Sequence, residues 1–98
     1  MKLVFAAAAR RDLLDIGDYI ARDSRHQALR FVTRLESACA SLLSQPERYP
    51  LLPRYADRGI RRAPLADYLI FYRIGEGRLE ILRVLHAARD IDALIGFL

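Results

Sequence analysis

The sequence predicts an α+β domain in which an antiparallel helical hairpin packs on one face of a mainly antiparallel four-stranded sheet. Three observations predict it: a short apolar run at the N terminus, two successive amphipathic helical patterns, and three strand-like segments followed by a short helical pattern. A chain of 98 residues is long enough for one modest core and too short for two. We therefore expect residues 1–98 to form a single domain.

The first 23 residues change from a strand pattern to a helical one. The apolar run at residues 2–5 is typical of a short strand. From Ala6 the apolar side chains recur every three or four residues as far as Asp23, which predicts an amphipathic helix. The apolar stripe contains Ala6, Ala9, Leu13, Ile16 and Ile20, and the polar sides contain Arg10, Asp12, Asp15, Asp18 and Arg22.

A second helix is predicted to begin directly after the first. Ser24 and Gln27 have the spacing of a capping box, in which the serine hydroxyl accepts from the Gln27 amide and the glutamine side chain reaches back. The helix should end near Gln45, because Pro46 disfavours a helical predecessor. So short a turn between two helices favours antiparallel packing. The stripe that this hairpin buries contains Ala28, Phe31, Val32, Leu35, Ala38, Cys39 and Leu42.

The second half of the chain combines an irregular crossing with strands. Three prolines between residues 46 and 58 indicate an ordered but irregular segment. Three β-rich segments follow, at 60–64, 68–74 and 79–85, and Gly75-Glu76-Gly77 has the length and composition of a hairpin turn. We therefore expect an antiparallel meander. Helical spacing at 90–98, with Asp90 as a possible cap, predicts a short terminal helix.

Strict alternation along the last strand would divide its side chains between the two faces of the sheet. Ile81, Arg83 and Leu85 would share one face, and Leu82, Val84 and His86 the other. Arg83 and His86 would then point in opposite directions. Both this strand and the preceding one are apolar on both faces, so the face away from the hairpin needs a cover. Either a partner chain, or the terminal helix together with the proline-rich crossing, would provide it.

Charge and composition restrict the class of protein. The formal net charge is +4, and Lys2 is the only lysine. The segment from Arg48 to Arg62 contains five arginines and one acidic residue. Such a segment either attracts phosphates or acidic protein surfaces or is simply a solvated loop. No stretch approaches the ~20 apolar residues of a membrane span, and residues 1–9 lack the features of a signal peptide. The single cysteine, Cys39, fits a reduced compartment, so we expect a cytoplasmic protein without metal or cofactor.

The residues that could carry chemistry lie at the end of the last strand. The chain has no glycine-rich phosphate loop, no Cys/His metal spacing and no serine in a nucleophile elbow. His86, Arg89 and Asp90 bring an imidazole, a guanidinium and a carboxylate close together in sequence, which could serve acid–base work on RNA. The structural alternative is favoured, in which Asp90 caps the terminal helix and pairs with Arg89 or His86.

Over nearly its whole length the chain resembles the ParE branch of the ParE/RelE toxin superfamily. The order and spacing of several weak motifs carry the resemblance, and the block that closes the chain is the most specific of them. These motifs are Asp12-Leu13 with Ile16 and Tyr19-Ile20-Ala21, Phe31-Val32 with Leu35, the proline segment 46–53, Gly59-Ile60-Arg61-Arg62, the strand 68–73, and Arg83-Val84-Leu85-His86-Ala87-Ala88-Arg89-Asp90.

The resemblance implies the toxin of a type II toxin–antitoxin pair, acting on DNA gyrase without being an enzyme. It also implies a ParD-like antitoxin whose C-terminal segment wraps the toxin and whose N-terminal part binds DNA, so that the toxin meets DNA only indirectly. The apolar outer face and the basic segment suit such a partner. We expect no catalytic residue, and the residues expected to bind target or antitoxin are Arg61, Arg62, Tyr72, Arg83, His86, Arg89 and Asp90.

Two other functions stay open from the sequence. The RelE-like branch cleaves messenger RNA on the ribosome with several cations and an aromatic or acid–base residue. This chain offers Arg61, Arg62, Arg73, Arg83 and His86, but it lacks the lysine-rich strand and the final catalytic tyrosine of that branch. An inactive toxin-like protein that only binds a partner is the third reading.

Overall fold

The computed structural model describes residues 1–89 and 91–95 and confirms the predicted α+β class. The chain forms a strand, two helices, a 3₁₀ segment, three further strands and a short helix. Their bounds are β1 Lys2–Phe5, α1 Ala7–Ala21, α2 Arg25–Ser41, the 3₁₀ segment Pro53–Arg58, β2 Ile60–Leu65, β3 Tyr68–Gly75, β4 Arg78–His86 and α3 Ile91–Ile95.

The four strands form one mixed sheet in the order β1-β4-β3-β2. β2, β3 and β4 pair antiparallel as the predicted meander, whereas β1 adds to the far edge of β4 in parallel. The β3–β4 turn places Glu76 at φ 53° and Gly77 at φ 74°. Two successive positive φ values give the backbone twist of a tight two-residue hairpin, which explains the glycine at the second position.

The predicted cap at the start of α2 is half confirmed. The Ser24 hydroxyl accepts a hydrogen bond from the Gln27 amide at 3.2 Å. The prediction that the Gln27 side chain accepts from the Ser24 amide was wrong, because that amide donates to the Ile20 carbonyl at 3.1 Å. The short connection between the helices therefore already satisfies the donor that the capping box would have used.

Two apolar clusters lie on opposite faces of the sheet. The helix-facing core joins the hairpin to the sheet and includes Cys39, which is 0% exposed and whose pKa burial raises to about 12, with a smaller effect from Glu36. The other cluster, the outer-face core, contains Tyr55, Ile60, Phe71, Leu82, Leu85 and Ile95, with Leu52, Leu69, Ile91 and Leu94 packed against it. The proline-rich crossing and α3 thus cover part of the outer face. This is the second of the two covers that the sequence predicted, the first being a partner chain.

A β-bulge in β4 overturns the strict alternation predicted for that strand. Phe71 of β3 lies opposite Arg83, but the next residue, Tyr72, lies opposite Ile81, so one residue of β4 is extra. Ile81 consequently belongs to the helix-facing core and Leu85 to the outer-face core. The bulge changes the direction of the side chains that follow it, including those at the end of β4.

Candidate functional site

A buried ion pair fixes the end of β4 to α1. The Asp12 carboxylate accepts from Arg83 Nε at 2.8 Å, from Arg83 Nη2 at 2.9 Å and from the Val84 amide at 2.9 Å. Asp12 is only 6% exposed, and its hydrogen bonding with the guanidinium raises the pKa of Arg83. The helical pattern predicted Asp12 on a polar side of the helix, and that prediction was wrong. Its spacing from Ala9 and Ile16, both buried, is the signal that could have placed it inward.

Arg61 and Tyr72 hold the crossing that follows α2. Arg61 Nη1 donates to the Tyr49 carbonyl at 2.7 Å and more weakly to the Glu47 carbonyl at 3.4 Å. The Tyr72 side chain is buried, and its hydroxyl donates to the Pro46 carbonyl at 2.8 Å. Burial raises the pKa of Tyr72 despite the nearby Arg61 guanidinium. Both side chains therefore satisfy backbone groups of residues 46–49, which an irregular segment cannot pair in a regular ladder.

His86 lies at the end of β4 among aromatic rings. Its ring meets that of Tyr68 edge-on at 5.2 Å, and Tyr68 in turn contacts Phe31 at 5.4 Å. Its Nδ1 accepts from the Ala88 amide at 3.1 Å. The half-buried imidazole borders a depression between α1 and the sheet, together with Asp15, Tyr19 and Arg89.

Arg62 and Arg89 meet on the outer face of the sheet. Both are exposed, and both line a depression of about 340 Å³ whose apolar surface includes Leu52 and Ile91. Within residues 1–89 and 91–95, neither guanidinium has a hydrogen bond or an ion pair. Asp92 borders the same depression, but its carboxylate already binds Arg54 at 3.0 Å. The depression therefore presents two cations that have no partner among the described residues, beside apolar groups.

The candidate residues thus occupy several places, and Arg89 borders two of them. Arg61 and Tyr72 support the crossing, Arg83 pairs with Asp12, His86 meets the Tyr68 ring edge-on, and Arg62 and Arg89 share the outer depression. Asp90, and with it the predicted cap of the terminal helix, lies outside the described residues. In the part of the chain that the structure describes, no cluster of three or more His, Cys, Asp or Glu side chains could hold a metal ion. None of the helices that the structure describes is long and apolar enough to cross a bilayer.

Comparisons with known proteins agree with this fold. The family model for the ParE toxin of the type II toxin–antitoxin system parDE matches residues 3–91. Toxin RelE2 of Caulobacter vibrioides is 36% identical over 89 residues, which cover 90% of this chain and 97% of that protein. A structure described as the chromosomal ParDE TA system from P. aeruginosa aligns with a TM-score of 0.73 at 22% identity, covering 88% of this chain and 95% of that one, a likeness of fold. This chain belongs to the ParE toxin family of type II toxin–antitoxin systems.

Proposed function

We propose that this ParE-family toxin arrests growth by binding DNA gyrase, without catalysing a reaction, and that a ParD-like antitoxin neutralises it by direct contact. Membership of the ParE family supports the proposal, as does the fold shared with a protein of a ParDE system. In this proposal the toxin meets DNA only through its antitoxin and its target.

The charged candidate residues lie apart from one another, and this observation supports the proposal that the toxin is not an enzyme. A ribonuclease needs a general base, a cation for the developing phosphorane charge and an acid for the leaving oxygen, all around one phosphate. Here Arg83 is bound by Asp12 and Arg61 by the Tyr49 carbonyl. His86 and Arg62 line different depressions, and Arg89 borders both. Such an arrangement favours binding surfaces over a catalytic centre.

A messenger RNA ribonuclease is the second candidate, and one comparison favours it. The relative with 36% identity bears the name RelE2. The geometry offers this function only the end of β4, where His86 and Arg89 border one depression with Tyr19 and Tyr68. If cleavage occurs, the His86 imidazole is the group at this depression that we expect to transfer a proton.

Induced expression in a bacterial host without an antitoxin distinguishes the two functions. Cells are scored in parallel for gyrase-dependent DNA breaks, plasmid supercoiling and cleavage of a reporter messenger RNA. We expect breaks or lost supercoiling with intact transcripts. Cut transcripts with normal supercoiling would assign the protein to the ribonuclease function instead.

A single substitution sharpens this experiment. His86→Gln removes the acid–base group, and loss of general acid–base catalysis lowers a rate about 100-fold or more. If the toxin acts on gyrase, the concentration of purified His86→Gln toxin that half-inhibits supercoiling should lie within about tenfold of that of the original protein. The reason is that one contact at the edge of an interface contributes ~1 kcal/mol to binding. Transcript cleavage that disappears in the His86→Gln variant would contradict the proposal.

A further inference from the structure

The outer face of the sheet carries a longer groove than the Arg62–Arg89 depression alone. A second depression, also about 340 Å³, continues from the first across Arg62. Its surface is predominantly apolar. Leu52, Pro53 and Arg62 border both depressions, while the first adds Phe71 and Arg89 and the second adds Pro64 and Leu69. The two together form an elongated groove between the proline-rich crossing and the sheet, which we call the outer groove.

Two arginines of the outer groove, Arg62 and Arg89, differ from Arg73 and Arg83 of the sheet. Arg83 pairs with Asp12 and Arg73 pairs with Glu80. Arg62 and Arg89 have no such partner among the described residues, and the acid at the groove, Asp92, already binds Arg54. A guanidinium that is free, exposed and next to apolar surface is well suited to a bidentate bond with a carboxylate.

We propose that the outer groove binds an extended segment of the antitoxin, in which an acidic side chain pairs with Arg62 and Arg89 and apolar neighbours pack on Leu52 and Leu69. The proposal rests on the proposed antitoxin partnership and specifies the chemistry of one contact in it. Charge complementarity identifies the occupant as acidic, and the apolar surface identifies it as a peptide. A nucleic acid is less suited to this groove, because its phosphates would meet apolar side chains and the Asp92 carboxylate.

The test measures binding of purified toxin variants to the antitoxin, with the protein encoded by the adjacent upstream reading frame as the probe. Arg62→Gln and Arg89→Gln should each raise the dissociation constant about tenfold, because charge-assisted hydrogen bonds are lost. The double variant should raise it about 100-fold. Arg34→Gln is the matched control. Arg34 is an exposed arginine of α2 without a side-chain partner in the described chain, and its removal should change binding by less than about threefold.

A second set of variants locates the partner group. Each carboxylate in the antitoxin's C-terminal half is replaced by the corresponding amide. One such amide substitution should cause no further loss of affinity when it is combined with Arg62→Gln and Arg89→Gln. Non-additivity of this kind in a double-mutant cycle indicates groups in contact. Melting temperatures of the toxin variants should equal that of the original protein, since both arginines are exposed and neither has a partner within residues 1–89 and 91–95.

The possible failures are distinguishable. If the original toxin does not bind the neighbouring protein at all, the antitoxin partnership itself is wrong. If it binds and the double variant is no weaker than Arg34→Gln, the outer groove is not the contact, while the proposed function stands. Retained antitoxin binding together with lost binding to a DNA duplex would assign the groove to nucleic acid and overturn the inference.

Discussion

The two faces of the sheet are covered in different ways. Two long helices with regular apolar spacing cover one face, and the Asp12–Arg83 ion pair closes it at the end of β4. A proline-rich crossing and the short helix α3 cover the other, and exposed Arg62 and Arg89 remain beside that cover. Regular amphipathic elements leave few gaps, whereas short irregular ones leave grooves. We therefore expect the helix-facing side to supply most of the stability, and we propose that the outer face supplies the binding surface.

Two arginines illustrate the same contrast. The Arg83 side chain is 17% exposed and makes two hydrogen bonds to one carboxylate. Arg62 is exposed and has no partner in the described part of the chain. A buried guanidinium must be paired to offset its desolvation, while an exposed one is free to bind a second molecule. Substitutions on each face should consequently have different effects on folding.

Leu35→Asp should give the largest loss of stability. Leu35 lies in the helix-facing core and is 0% exposed, so the aspartate would bury an unpaired charge. The cost is about 4 kcal/mol or more, a large part of the stability of a small domain. Urea unfolding followed by circular dichroism measures it. Leu29→Asp on the same helix is the control, because Leu29 is 69% exposed and its substitution should cost less than about 0.5 kcal/mol. Equal losses would place Leu35 outside the core.

Asp12→Ala should give the next largest effect. It leaves the partly buried Arg83 guanidinium and the Val84 amide without their acceptor, at a cost of about 3 kcal/mol in the free energy of unfolding. Asp15→Ala, an exposed neighbour, should cost less than about 0.5 kcal/mol. Adding Arg83→Met to Asp12→Ala should restore part of the loss, since the uncompensated charge is then removed. A double variant that is less stable than Asp12→Ala would show that the pair is not the source of the cost.

The sequence was sufficient to predict the elements but not the contacts between distant ones. Helical spacing predicted the hairpin, and β-rich segments predicted the meander, because those patterns are local. Asp12 was misplaced because its partner, Arg83, is 71 residues away and only the fold brings them together. The β4 bulge was missed for a similar reason, since register depends on the neighbouring strand. Likewise, Arg62 and Arg89 were both candidates, but their common groove depends on where α3 and the crossing lie.

Ile95→Ala should have the smallest of these effects and compares the two faces directly. Ile95 is 0% exposed and anchors α3 on the outer-face core, but a helix of five residues can relax around the cavity. We expect a loss of about 2 kcal/mol, against about 4 kcal/mol for Leu35→Ala in the helix-facing core.

Alkylation of Cys39 supplies an independent measure of which face opens in the Ile95→Ala variant. Burial and a pKa raised to about 12 keep this thiol unreactive at pH 8 while the helix-facing core is closed. If Ile95→Ala loosens only the outer face, Cys39 should react no faster than the measured global unfolding allows. A rate above that value would mean that α3 also holds the helix-facing core closed. The two faces would then form one cooperative unit despite their different covers.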